Sequence, residues 1–409
     1  MPTARIDERL LLATLAAVQF THIMDYMILM PLGSHLMRTF GIGPDKFSHL
    51  VAAYSLAAAV AGFLGGFAID RFDRKRALLT LYTGFALATL ACALAPNYAV
   101  LLVARIAAGV FGGLAGSVVT AAVGDVVPPE RRGTAMGVVM SAFPIASVLG
   151  VPAGLFLAGL FEWHAPFFLL AGVSAAIGLA AWRLLPALPP HPGAAPPLRQ
   201  MREILSHPTH LRAFALAGVV VFGGGCIIPF MAPSMVTNVG LSEAQLPLIY
   251  LAGGACTFFT MPWFGRLSDR YDKLHLFAAV SAFASCAVLV LTHLPPVPVY
   301  AALLATTFFM IGMSGRFPPS MSLIANSVEG RYRGGFMSVN SAVQQAFSAL
   351  ANLVAGYLVT RDPLTGRLDG YGRAGYLTVG AFLVAVYLAH RLRAAAPHAA
   401  RPAAPIDLA

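Results

Sequence analysis

Gly66-Phe67-Ala68-Ile69-Asp70-Arg71-Phe72-Asp73-Arg74-Lys75 is a short charged stretch set between two apolar runs, and it decides the fold because it returns. The second copy, Gly265-Arg266-Leu267-Ser268-Asp269-Arg270-Tyr271-Asp272-Lys273, begins 199 residues later, again between two apolar runs. A charged hairpin repeated at half the chain length marks a duplicated bundle. The surroundings say what kind of bundle. Of the 409 residues 58% are hydrophobic and 11% charged, with a mean hydropathy of +0.75. A soluble chain carries about 25% charged residues, so this one cannot cover a globular surface in water and belongs in a bilayer.

Apolar runs of roughly 20 residues, the length that crosses a membrane, number twelve. They fall at about 10–31, 48–68, 77–95, 99–125, 134–160 and 165–186, then 212–236, 245–264, 274–293, 298–325, 335–359 and 375–395. The expected architecture is therefore all-α and membrane-integral: twelve transmembrane helices in two pseudo-twofold-related six-helix bundles, 1–186 and 212–395. Residues 187–211, rich in Pro and basic residues, read as a cytoplasmic connector, and 396–409 as a cytoplasmic tail. The first apolar run is too long for a signal-peptide core and is expected to remain as the first span. With both termini placed inside, 20 of the 27 basic residues fall on internal segments and five on external ones. That asymmetry predicts a multi-pass protein of the inner (plasma) membrane with both ends cytoplasmic.

The net charge of +10 is absorbed by this topogenic pattern, and no basic patch for nucleic acid remains. Four cysteines scattered in apolar runs have no metal-ligand spacing. No P-loop, His-Glu-x-x-His or Gly-x-Ser-x-Gly sequence occurs, which argues against an ATP-driven pump or an intramembrane enzyme. No cofactor or metal is expected.

Six plus six spans with Gly66-x-x-x-Asp70-Arg71-x-x-Arg74-Lys75 after the second resemble the major facilitator superfamily over essentially the whole chain. The chain departs from the family pattern at Asp73 and Asp272, where Gly is usual. Arg105-x-x-x-Gly109-x-x-x-Gly113 resembles the family's fourth-helix motif, whose buried Arg is associated with proton transfer. Gly150-Val151-Pro152-Ala153-Gly154 is similar to the core of its antiporter motif, which marks exporters more than importers. The run from Met24 to Gly33 resembles bacterial sugar and drug efflux permeases. The resemblance implies a secondary transporter: proton-coupled efflux of a small molecule by alternating access. Alternatives are a proton-coupled uptake symporter for a sugar or organic acid, and a non-transporting sensor on the same fold.

Particular residues carry these expectations. Asp25 is the only carboxylate deep in an apolar run, at a cost of about 2.5–3.5 kcal/mol on insertion scales, so it needs a cavity or a partner. Arg105 lies at a matching depth, and an Asp25–Arg105 coupling, direct or through water, is expected. It serves either proton exchange or as a permanent structural pair. His22, on the same face as Asp25, either shares the proton or is a satisfied polar residue. Arg316, before Pro318 and Pro319, reads either as a substrate contact or as a structural Arg satisfied by carbonyls that the prolines leave free. Asn340, Gln344 and Gln345 read as cavity lining or interhelical glue. Gly66, Asp70, Arg71, Arg74, Gly265, Asp269 and Arg270 form the expected gating hairpins, with Asp125 as a partner for Arg71 and Arg74. The expected partners are a small-molecule substrate, protons and lipid, with a monomer sufficient for the mechanism.

Overall fold

The computed structural model describes residues 8–68, 73–128, 131–185, 197–329 and 332–396. Within them the chain is almost wholly helical, and contacts divide it into two units. The first comprises Met1–Ala195 together with Ser242–Leu251, the second Pro196–Leu241 together with Ala252–Ala409.

In the first unit, α1 (Glu8–Ile28) leads through a short α2 (Gly33–Thr39) to α3 (Pro44–Ala68), α4 (Arg74–Ala93) and α5 (Tyr98–Val126). The fifth span is interrupted. It consists of α6 (Arg132–Met140), α7 (Ala142–Ile145), a π-helical turn (Ala146–Gly150) and α8 (Val151–Phe161), before α9 (Ala165–Leu184) closes the unit. The π turn has a local cause. Pro152 has no N–H to give the i−4 carbonyl, and just before it the Val151 N–H reaches back five residues to the Ala146 carbonyl. The unit is sealed by interdigitated apolar side chains, among them Leu15, Val18, Phe85, Val119 and Val123, all fully buried.

In the second unit, α10 (Pro197–Ser206) occupies the segment expected as a plain connector, so helix forms there in spite of the prolines before it. The seventh span is α11 (Pro208–Gly225) followed by α12 (Ile228–Thr237). Next come α13 (Leu246–Arg270), whose residues up to Leu251 are counted in the first unit, then α14 (Lys273–Thr292), α15 (Val299–Gly315), α16 (Phe317–Asn326) and α17 (Arg333–Leu358). A two-stranded hairpin, β1 (Thr360–Arg361) with β2 (Leu368–Asp369), precedes α18 (Tyr371–Ala395). Gly370 makes the turn into α18 at φ +81°, and a Cβ there would run into the Leu358 carbonyl. Only glycine meets both conditions.

Eleven helical segments among the described residues are long and apolar enough to cross a membrane. The remaining expected span, the eleventh in order, is α17, long enough at 26 residues but carrying Asn340, Gln344, Gln345 and Asn352. Large apolar side chains such as Val103 (65% exposed), Phe156 (63%) and Phe259 (73%) stand on the outside of the bundles. Water would not tolerate such patches, whereas hydrocarbon solvates them.

Asp73 and Asp272, the two departures from the repeated hairpin's usual glycine, are helix N-caps. Asp73 accepts a hydrogen bond from the Arg76 N–H at 2.8 Å. Asp272 accepts from the Leu274 and His275 N–H groups at 3.0 and 3.1 Å. Each satisfies donors that a helix start leaves open.

Candidate functional site

Asp25 lies on α1 one turn before the helix ends and is fully buried. Its Oδ2 accepts from Arg105 Nη1 of α5 at 2.6 Å, and its backbone carbonyl accepts from the same nitrogen at 3.2 Å. Thr89 of α4 donates to Oδ1 at 3.3 Å. The coupling expected from depth alone is therefore direct. Of the two ways to meet the cost of a buried acid, this conformation uses a partner rather than a cavity, since both side chains are 0% exposed. A pair closed off in this way strengthens its own attraction, and removing either member leaves an uncompensated charge, at about 3–5 kcal/mol.

Arg105 also stands 4.5 Å from the centroid of the Tyr54 ring on α3. The ring is held there by the glycines of the Arg105 motif. A Cβ on Gly109 would lie 2.9 Å from Tyr54 Cα and closer still to its carbonyl oxygen, and one on Gly113 would lie 2.8 Å from Ala58 Cα. The spacing seen in the sequence is thus a close crossing of α3 and α5. Tyr54 also donates to the His22 carbonyl at 3.4 Å, and its ring lies tilted against Tyr26 with centroids 5.4 Å apart. The His22 ring is half-buried against Gly116.

The antiporter-like element packs on the helix that carries Asp25. A Cβ on Gly150 would come within 2.6 Å of Met24 Sδ, and one on Gly154 within 2.6 Å of Ile28 Cδ1. Ser147, inside the π turn, donates to the Phe143 carbonyl at 3.1 Å and approaches Met27 Sδ at 3.9 Å. Pro152 is buried at the start of α8. These contacts flank Asp25 along α1, so a change in the bend of the fifth span acts on the helix holding the acid. π turns are frequent where helices perform such work.

In the second unit Arg316 caps the break between α15 and α16 and is fully buried. Its Nε donates to Ser281 Oγ at 3.3 Å, and its guanidinium lies 3.5 Å from the Phe382 ring centroid and 5.7 Å from that of Phe277. Those groups, with Met313 Sδ at 3.9 Å, replace the freed carbonyls expected from the two prolines. On α17, Asn340 is 1% exposed with both amide atoms unpaired, Gln344 approaches Met321 Sδ at 3.9 Å, and Gln345 is half-buried.

Of the gating residues, Asp70 and Arg71 lie outside the described residues, as do the side chains of Gly66 and Asp125. Arg74 is buried at the start of α4, where its neighbour Lys75 donates to the Leu185 carbonyl. Gly265 is half-buried in α13, and Asp269 and Arg270 are exposed at its end. Sequence reasoning missed Tyr54 and Thr89. Neither carries a charge, and only the spacing of Arg105, Gly109 and Gly113 hinted that a neighbouring helix came close.

The Major Facilitator Superfamily model matches residues 15–351 and 213–406. The chain belongs to that superfamily of membrane transporters and is not an enzyme. It is similar to the uncharacterized MFS-type transporter YceJ of Bacillus subtilis (strain 168), with 26% identity covering 87% of this chain and 90% of the relative. It is 29% identical to a chloramphenicol resistance protein of Streptomyces lividans, over 87% of this chain and 90% of that protein. Among solved structures, a bacterial homolog of the human lysosomal transporter Spinster, inward-facing and occupied, superposes with a TM-score of 0.76. Its identity is 17%, with coverage of 97% of this chain and 98% of that one. At that identity the likeness shows the fold alone.

Proposed function

We propose that the chain is a secondary active transporter that exports a small molecule in exchange for protons by alternating access. The observation that carries this reading is the sealed Asp25–Arg105 pair at 2.6 Å, with Gly150 and Gly154 packed on the same helix. In the closed arrangement neither side chain meets solvent, so no proton enters or leaves. When a conformational change opens the pair, Asp25 takes a proton from the acidic side and becomes neutral. Arg105 is then released from its anion, and the packing around α1 changes with it. Re-forming the pair on the other side expels the proton. The twelve-span count including α17, the inner-membrane placement with cytoplasmic termini, and monomeric action belong to the same proposal. So do hairpin gates that include Asp70 and Asp269.

Export is favoured over uptake by the Gly150-Val151-Pro152 element and by the relatives' printed roles, chloramphenicol resistance among them. A probable sugar efflux transporter of Helicobacter pylori (strain G27), 25% identical over 59% of this chain and 61% of that protein, points the same way. The test uses membrane vesicles of both orientations and a panel led by chloramphenicol and sugars. Inside-out vesicles with an acidic lumen are expected to accumulate cargo. Accumulation only in right-side-out vesicles bathed in acid would establish uptake instead.

A further inference from the structure

Arg105 is short of partners for so buried a cation. Among the described residues Nη1 donates to Asp25 twice, Nε and Nη2 meet no oxygen or nitrogen acceptor, and the neutral Cys92 thiol is the other side chain in reach. What faces the guanidinium instead is the Tyr54 ring, itself 2% exposed and fixed in place by Gly109 and by Gly112, whose Cβ would lie 2.6 Å from the Tyr54 hydroxyl. The titratable and charged groups around this centre are Asp25, His22 and Tyr26 on α1, Tyr54 on α3, Cys92 on α4 and Arg105 on α5. Asp25 is the only anion among them, so once it is neutral the Arg105 charge is held by the Tyr54 ring and the Asp25 backbone carbonyl, of which only the ring is set by a side chain.

We infer that Tyr54 is a positioning residue for proton exchange: its ring face holds the Arg105 charge while Asp25 is protonated, and so sets the pH at which Asp25 loads. This rests on the proton-exchange reading above. The physical argument is one of difference. With Asp25 ionised, Arg105 is neutralised by its partner and the ring adds little. With Asp25 protonated, the guanidinium loses its counter-charge, and the ring quadrupole then contributes alongside the Asp25 backbone carbonyl to holding it. A ring that stabilises the protonated state more than the ionised one makes loading easier. Without the ring, loading requires stronger acid.

The test titrates the Asp25 carboxyl directly by infrared difference spectroscopy on the full chain in lipid, with Asp25→Asn identifying its band, and transport is followed across the same pH range. In Tyr54→Leu the loading midpoint is expected to fall by about one pH unit, as a desolvated cation–π contact of this kind allows. Tyr54→Phe, which keeps the ring and loses only the long hydroxyl contact, is expected to stay within a few tenths of a unit of wild type. Should Tyr54→Leu not fold, phenylalanines with one, two and three fluorines at position 54 keep the shape while draining the ring's negative face. The midpoint is then expected to fall stepwise with fluorine number. No shift across that series, a shift to higher pH, or an equal shift in Tyr54→Phe and Tyr54→Leu would overturn the assignment. If the wild-type band does not titrate with transport, the proton-exchange reading fails first, which separates the two failures.

Discussion

Alanine in place of Gly109 should destabilise the chain, although alanine is the better helix former. The Cβ it adds would lie 2.9 Å from Tyr54 Cα and 3.0 Å from the Tyr54 carbonyl carbon, against ordinary contacts of 3.4–4 Å. The atoms it meets are backbone, which cannot swing aside, so α3 and α5 must separate by roughly half an ångström or more. Overpacking of this kind costs about 1–3 kcal/mol, and the helix-propensity gain returns only about 0.5–1 kcal/mol. The net expectation is a loss centred near 1 kcal/mol and reaching about 2.5 kcal/mol. Gly172→Ala on α9 is the control, because a Cβ there meets nothing within 4 Å. It should gain up to about 1 kcal/mol. Unfolding of both variants in the same lipid nanodiscs measures the difference, and the sign contrast is the test. If both glycines respond alike, the close α3–α5 crossing that places Tyr54 under Arg105 is not present, and the reasoning about the site fails with it.

Three further outcomes follow from particular side chains. Arg316→Met should be neutral to stabilising by about 1–4 kcal/mol, since it replaces a buried cation that has no carboxylate partner among the described residues with an apolar chain of similar length. Transport should persist, and its loss with the fold intact would return Arg316 to the substrate path. Asp272→Ala removes an N-cap and an ion pair with Arg393 at 3.0 Å. It should cost about 0.5–2 kcal/mol in thermal or chemical unfolding, and an unchanged midpoint would contradict the capping role. His164, in the connection between α8 and α9, has its imidazole held below the usual value of 6.5 by burial, with Glu162 pulling it up and His35 pushing it down. The unfolded chain therefore binds that proton more readily, so His164's contribution is complete above about pH 6.5 and declines as the pH falls through that value toward the lower folded one. His164→Gln should flatten the acid side of the stability profile, and an unaltered slope would show that another group is responsible.

The spans were legible because hydrophobic length and basic asymmetry are written residue by residue. The twelve runs coincide with helical segments, including α17, whose apolar run shows in the sequence although its amides lower its mean hydropathy. Depth along two helices was enough to pair Asp25 with Arg105. What composition and periodicity could not show was direction around the helix. Arg316 was placed at its correct break, but nothing in the sequence said that Ser281, Phe277 and Phe382 would surround it. The π turn at Ala146–Gly150 depends on how Pro152 is accommodated, which a residue pattern does not specify. Asp73 and Asp272 looked like departures from a motif, when a capping rule applied to the residue before each helix would have identified them. Tyr54 was hidden for a simpler reason: one aromatic among 27 Phe and 12 Tyr carries no mark of what it faces.

The central claim is that a single carboxyl, locked against Arg105 in the closed state, exchanges its proton in step with the cargo. Asp25→Asn in reconstituted vesicles measures this most directly, with driven accumulation and cargo-for-cargo exchange assayed side by side. The account predicts that exchange continues while accumulation under an imposed proton gradient disappears. Undiminished gradient-driven accumulation in the Asn variant would contradict it and leave the pair as a brace between two helices.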